Sequence, residues 1–312
     1  MKIKKEYIVL VLVIAALVAY LYINRDDQVH YELPRLEEID TKDITKIEID
    51  GLGKSVALTQ KDNTWYITPG DYPADSDKAS EMAKVLGQIY VTDLVSESKT
   101  YERYDLTDKK RILVKAFIGD TPKRSLSIGK TSPTYKHTFI ALDGDDRVYQ
   151  AQGNFRNTFE VEIDEIRDKN VLSFSTKDIT RLTINTDGKE TTLSLGQKQG
   201  DEDEKAPVWK DESGKEAVKS AVDALLNKIC SLKCDKFIDD KARDEMNGPV
   251  TTIIAGGIEE YSLFIYPKTD EDYTATSSQN DYVFTLGKYT VESIDKQIDK
   301  ITKEPEESDK TE

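Results

Sequence analysis

The sequence predicts an α+β fold: an N-terminal transmembrane helix, then two tandem repeats of mainly antiparallel sheet with one principal helix each. Three observations predict it. The run Tyr7–Ile23 (YIVLVLVIAALVAYLYI) carries no charge and neither Gly nor Pro. The pentapeptide TKDIT stands at Thr41–Thr45 and again, 135 positions on, at Thr176–Thr180, and the match extends without a gap over Leu36–Asp50 and Val171–Asn185. In both copies apolar residues first alternate with polar ones and later recur at helical spacing, the marks of a half-buried strand and an amphipathic helix.

Residues 1–6 read as a cytoplasmic basic tail, with Lys2, Lys4 and Lys5 ahead of the apolar run. At about 1.5 Å rise per residue, a helix over Tyr7–Ile23 covers roughly 26 Å, near the low end for a bilayer core. Tyr7 at one end and Tyr20 and Tyr22 at the other suit the two interfacial belts. Arg25 is offset at once by Asp26 and Asp27, so the positive-inside rule places the N-terminus in the cytoplasm and the rest outside the cell membrane. A cleaved signal peptide shares the basic start and apolar middle. The run is longer than a usual signal core, however, and no clear small-x-small cleavage site follows it. With no cysteine near its end to carry a lipid, a retained single-pass anchor in the bilayer is the expectation. Ala15 and Ala19 form a small-xxx-small pair that can face another membrane helix.

Residues 24–35 are a linker, and residues 36–170 the first repeat. Ile44, Ile47 and Ile49 fall on Ile179, Leu182 and Ile184 of the second repeat, residues 171–303, with polar residues between. Each strand then turns, through Gly51-Leu52-Gly53 in the first copy and through Asp187-Gly188 in the second. Within TKDIT, Thr and Asp support the turn before the strand, and the isoleucine leads into it. Return strands follow, with Leu58 over Leu193, and then a tryptophan in each copy, Trp65 and Trp209. The acidic Asp201–Glu204 stretch is a loop insertion in the second copy. Met82, Val85, Leu86 and Ile89 make the apolar stripe of the first helix, capped by Asp75 or Ser76. Val218, Val222, Leu225, Leu226 and Ile229 make the second. Further strands follow, among them a hairpin turning at Asp143-Gly144 whose Val148 meets Val283. A short helical stretch closes each copy, and residues 304–312 form an acidic tail.

The elements recur in a fixed order: Asp-Ile before a strand, a tryptophan strand, Pro73-Ala74-Asp75 before a helix, Tyr104-Asp105-Leu106, a Ser-Ile-Gly-Lys strand and a Val-Tyr strand. Together they resemble the bacterial membrane-anchored family called domain of unknown function 4340, over most of residues 36–300. In that family a Tyr-Gly-Leu turn followed by proline is common; here Asp105 takes the glycine's place and Lys109-Lys110 stand where proline is expected. The resemblance implies no catalytic residue. It does imply a partner class, because members frequently accompany ABC transporter components of the gliding-motility auxiliary type.

Composition narrows the chemistry. Among 312 residues, Asp and Glu (59) outnumber Lys and Arg (44), and the net charge of −15 disfavours nucleic acid as a partner. There are only two histidines, His30 and His137, and neither has a neighbour with which to form a metal or nucleophile–base pair. Cys230 and Cys234 lack the second pair of ligands that a zinc site needs and read as packing residues. Cys230 aligns with Tyr90. Gly51-Leu52-Gly53-Lys54 lacks the length and Ser/Thr of a phosphate loop. Gly256-Gly257 marks a bulge or turn. No catalytic, cofactor-binding or metal-binding residue is therefore expected. The function expected is that of a non-catalytic, membrane-anchored extracytoplasmic accessory or scaffold protein of an ABC-type export or gliding-motility-like complex, partnered by permease or accessory subunits. The alternatives are a binding module for a cell-wall or extracellular ligand, and a carboxylate-based hydrolase.

Overall fold

The computed structural model describes residues 5–23, 32–197, 207–269 and 272–302. His30 and the Asp201–Glu204 insertion lie outside the described residues. The chain divides into two compact units, one of Met1–Asp71 with Asp77–Val161, the other of Tyr72–Ser76 with Glu162–Glu312.

The first unit opens with helix α1 (Lys5–Ile23). The expected transmembrane helix is not found, because among the described residues no helix is long and apolar enough to cross a membrane.

Strands β1 (Lys46–Gly51), β2 (Lys54–Lys61), β3 (Thr64–Thr68), β5 (Val91–Ser96), β6 (Ile112–Ile118), β7 (Thr121–Thr131), β8 (His137–Leu142) and β9 (Val148–Gln152) form one sheet, in the order β3-β2-β1-β6-β7-β8-β9-β5. Between β3 and β5 lie β4 (Tyr72–Pro73) and helix α2 (Ser76–Gly87), and α3 (Phe155–Phe159) follows β9. The described pairs are all antiparallel. Alternation puts Ile47 and Ile49 on the buried face of β1, opposite Leu58 and Val56 on one side and Ala116 and Val114 on the other.

The second unit adds α4 (Ile163–Ile166), β10 (Asn170–Ser173), β11 (Ile179–Thr186), β12 (Lys189–Gln197), β13 (Pro207–Asp211), α5 (Lys219–Ile229), β14 (Ser231–Lys233), β15 (Lys236–Ala242), β16 (Thr251–Gly257), β17 (Glu260–Thr269), β18 (Asp272–Ser277), β19 (Tyr282–Gly287) and α6 (Lys288–Thr302). Its main sheet runs β13-β12-β11-β16-β17-β18-β19-β15, the same order element for element. The cross-strand trio Ile47, Leu58 and Ala116 recurs as Leu182, Leu193 and Ala255. Mainly antiparallel sheet with a few helices is thus the fold class, in two copies.

Several details differ from expectation, among them Val218, which precedes α5 and is exposed rather than part of its apolar stripe. In α2 the buried face is Ala79, Met82, Ala83 and Leu86; Val85 is only partly buried, and Ile89 lies beyond the helix end at Gly87. Gly87 ends the helix where it approaches the leading segment, its carbonyl accepting from Ile39 N–H at 3.0 Å. The same bond recurs as Phe174 N–H to Cys230 O at 3.0 Å, so Cys230 takes the place of Gly87, not of Tyr90.

The second closing helix is not short. α6 is 15 residues long because Val291, Ile294 and Ile298 recur at helical spacing and are buried in the core that also holds Val222, Leu225, Leu226 and Ile229 of α5. The second unit therefore has two principal helices. Finally, each TKDIT begins as a 3₁₀ turn, but in the first copy the preceding Asp40 supplies the side-chain cap, accepting from Lys42 N–H at 3.0 Å.

Candidate functional site

In the first unit, two hollows meet at the turn between β8 and β9. One, of about 330 Å³, is lined by residues including Arg111, Lys115, Ser127 and Asp146. The other, of about 500 Å³, is lined by residues including Leu36, Glu37, Ile39, Pro122 and Arg124. Ser125, Leu142, Asp143 and Asp145 belong to both.

Arg124 is fixed by alternation in β7, which turns its side chain inward toward the end of α2. Its Nη1 donates to Leu86 O and, at 3.1 Å, to Gly87 O, and its Nη2 donates to Glu37 O. A guanidinium thus satisfies carbonyls that the last helical turn leaves unpaired, where the helix dipole favours positive charge. Burial draws the Arg124 pKa below its ordinary value, opposed by Glu37.

Asp145 is held just as firmly. Its Oδ1 accepts from Arg147 N–H at 3.0 Å and from Arg147 Nε at 2.9 Å; its Oδ2 accepts from Arg147 Nη2 at 2.8 Å and Tyr149 Oη at 2.7 Å. The Arg147 hydrogen bonds hold the Asp145 carboxyl well below the usual carboxylate range. Burial, then the bond to Asp145, pushes the Tyr149 phenol up to about 12. An ionised carboxylate with both oxygens occupied is not placed to be a general acid. Beside it, Asp146 pairs with Lys99 at 2.9 Å, and Arg111 pairs with Asp108 at 2.6 Å. The arrangement can hold a ligand by shape and hydrogen bonding, and none of these groups forms a nucleophile–base pair.

The second unit contains a buried cation that periodicity could not reveal. The Arg167 side chain is 1% exposed. Its Cζ lies 3.7 Å from the ring centres of both Tyr72 and Phe237, and 4.9 Å from that of Tyr282. Nη1 donates to both Asp239 oxygens at 2.9 Å, whereas Nη2 is buried and has no hydrogen-bond partner among the described residues. The backbone clasps the same stretch: Asp75 N–H donates to Ile166 O at 2.8 Å and Asp168 N–H to Pro73 O at 2.9 Å. Burial raises the Tyr282 phenol, and Arg167 opposes the rise. The only sequence signal for this cluster is a lone arginine at the junction of the repeats.

The remaining sequence candidates are scattered. His137 is half-buried at the start of β8. Cys230 is half-buried, its Sγ 3.4 Å from Asn227 O; Cys234 is buried, and burial pushes its thiol up to about 11. Both cysteines are free. The Asp295 carboxyl in α6 is raised by burial first and then by Asp299. Among the described residues no group of three or more His, Cys, Asp or Glu side chains could hold a metal ion.

Neither a curated protein nor a solved structure matches the chain. A family model does match, over residues 65–249, from the tryptophan strand of the first repeat to the Gly248-Pro249 turn of the second. The chain belongs to the family described as domain of unknown function (DUF4340).

Proposed function

We propose that this protein is a non-catalytic accessory or scaffold subunit, anchored in the cell membrane through Tyr7–Ile23 and displaying its two units outside it. The observation that carries the reading is α1. Its side chains from Val9 to Tyr20 are all exposed, Leu12 by 65% and Val18 by 59%, so most of this apolar surface is left uncovered by the described residues. At about 25 cal/mol per Å², an apolar helix of this kind gains strongly by moving from water into lipid. The bilayer adapts to a short span by local thinning. Lys2, Lys4 and Lys5 keep the N-terminus cytoplasmic. The partner class is the permease or accessory subunits of an ABC-type export or gliding-motility-like complex, which the family resemblance supports.

Three measurements test this. Alkaline carbonate washing leaves the full chain in the membrane pellet, and protease added to intact cells with permeabilised outer layers cuts it. Gentle detergent extraction then recovers it with integral-membrane partners. Release by carbonate overturns the anchor, and recovery as a lone monomer overturns the accessory role.

A second reading, a binding module for a cell-wall or extracellular ligand, is favoured by the two adjoining hollows of the first unit. A rise in melting temperature with soluble peptidoglycan fragments, lost on blocking the hollows, supports it over the scaffold reading.

A further inference from the structure

The two units share a sheet order but treat their leading segment differently. In the second unit β10 pairs with β14 along one edge. Side chains from the β18–β19 turn close its other edge. Ser277 Oγ donates to Val171 O, and Asn280 Nδ2 reaches the same carbonyl at 3.5 Å. Gln279 does both jobs at Ser173: its Nε2 donates to Ser173 O at 2.8 Å, and its Oε1 accepts from Ser173 N–H. Phe174 completes the seal by stacking on Tyr261, ring centres 4.9 Å apart.

The first unit has the same turn with the sealing groups replaced. Two hydrogen bonds of the turns correspond. Asp143 N–H donates to Ser125 O as Ser278 N–H does to Ser262 O, and Arg147 N–H caps Asp145 Oδ1 as Tyr282 N–H caps Asn280 Oδ1. On this register Leu142 stands for Ser277, Gly144 for Gln279 and Asp145 for Asn280. Leu142 has no polar atom to offer. Gly144 has no side chain and holds a left-handed φ of +73°, a conformation Gln279 does not share. Asp145 is turned away, its two oxygens held by Arg147 and Tyr149. Ile39 replaces Phe174, and Arg124, committed to the end of α2, replaces Tyr261.

The space so left is the hollow of about 500 Å³. Leu36, Glu37 and Ile39 line it, with the exposed Glu38 between them on the chain. Leu36 C=O, Glu38 N–H and Glu38 C=O are the counterparts of the three backbone groups that the second unit satisfies. Among the described residues none of the three has a hydrogen-bond partner. Groups spaced i and i+2 on an extended chain, pointing one way, are what the edge of a strand presents. The flanking Leu36, Ile39, Pro122 and Leu142 give the hollow an apolar floor.

We propose that this edge, Leu36–Ile39, is a docking site for an extended peptide segment of a partner protein, which enters the hollow as an added strand. Its backbone supplies the donors and acceptor that Ser277 and Gln279 supply in the second unit. A carboxamide is the side-chain copy of a peptide group, so the occupant of one copy defines the chemistry that fits the other. Strand alternation points one partner side chain at the Leu36, Ile39 and Leu142 floor, and that side chain is apolar. A contact of a few backbone bonds and one side chain is weak alone, with Kd on the order of 0.1–1 mM. The proposal stands apart from the anchor: a peptide can bind here whatever co-purifies from membranes.

The test uses the full chain in detergent, labelled with ¹⁵N-glutamate, and the soluble peptide acetyl-Lys-Thr-Val-Thr-Lys-amide. Titration is expected to move the Glu38 amide resonance to saturation and to slow its hydrogen exchange about tenfold. The same peptide N-methylated at its valine, which loses a donor but keeps the side chains, leaves Glu38 where it was. Leu142→Ser and Asp145→Asn together restore the two side chains that reach Val171 C=O in the second unit and weaken the peptide's effect while a cooperative melt is retained; Gly144, at φ +73°, is left in place. Should that variant not fold, the pair of peptides decides alone. No movement of Glu38 at millimolar peptide, or equal movement with the N-methylated peptide, overturns the proposal. So does movement that follows protein concentration without peptide, which makes the occupant a second copy of the chain.

Discussion

The guanidinium carbon of Arg167 sits 3.7 Å from the centre of the Tyr72 ring, although Tyr72 lies in sequence within the first repeat. Phe237 covers the opposite face at the same distance. A flat, weakly hydrated cation fits between two rings where an ammonium does not. Arg167→Met keeps the packing volume and loses the cation–π attraction, and is expected to cost about 1–3 kcal/mol in denaturant unfolding. Arg167→Lys should recover little of this, and a double-mutant cycle with Phe237→Leu should show coupling between the two residues. Additive effects would mean that the rings and the charge act separately.

Asp145 and Tyr149 make stability depend on pH at both ends of the scale. The Asp145 pKa is lowered in the fold, so its contribution is present above the unfolded carboxylate value and is lost as pH falls through the folded one. The Tyr149 pKa is raised to about 12, so its contribution is complete below the unfolded phenol value of about 10 and is lost as pH rises toward 12. Asp145→Asn should flatten the acid limb of a melting-temperature profile, and Tyr149→Phe the alkaline limb. Each should lower stability at neutral pH by about 1 kcal/mol.

Asp295 behaves in the opposite sense to Asp145. Its carboxyl is raised by burial and by Asp299, so ionisation at neutral pH works against the fold. Asp295→Asn should raise the melting temperature at pH 7. The gain should shrink as pH falls through the raised pKa and vanish below the ordinary carboxylate value, where folded and unfolded side chains are both protonated. A gain independent of pH would show that charge is not its cause.

Gly256 and Gly257 look interchangeable in sequence and are not in space. A Cβ on Gly257 would sit 1.7 Å from Asp178 O, whereas one on Gly256 would only touch Arg181 Cβ at 3.8 Å. Gly257→Ala should therefore cost about 2–4 kcal/mol by forcing backbone movement, and Gly256→Ala well under about 1 kcal/mol. Denaturant midpoints of the two variants, measured side by side, check this.

That pair also illustrates how far the sequence could be read. Where a bulge or turn is expected at Gly256-Gly257, the register shift lies opposite them: Thr180 is the extra residue, on β11, between the partners of the two glycines. Alternation at Ile47 and Ile49, the Asp187-Gly188 turn and the two tryptophans were legible because each depends on neighbours a few residues away. The turn at Asp62-Asn63, both with positive φ, escaped notice because neither residue is glycine. Arg167, Arg124 and the unsealed edge at Glu38 were not legible at all. Each is defined by partners tens of residues distant, and a buried arginine is written in the same letter as a solvated one. The third exists only as a difference between the two folded copies.

Tyr72–Ser76 is counted with the second unit while the chain around it belongs to the first. The boundary between the units is therefore not a point on the chain. An expression fragment starting at Glu162 would retain Phe237, Tyr282 and Asp239 but leave one face of Arg167 bare. It would also lack Pro73 O, the acceptor of Asp168 N–H. The shortest contiguous stretch containing everything that surrounds Arg167 begins at Tyr72. Anyone dividing this protein to study its halves must carry that pentapeptide along or supply it in trans.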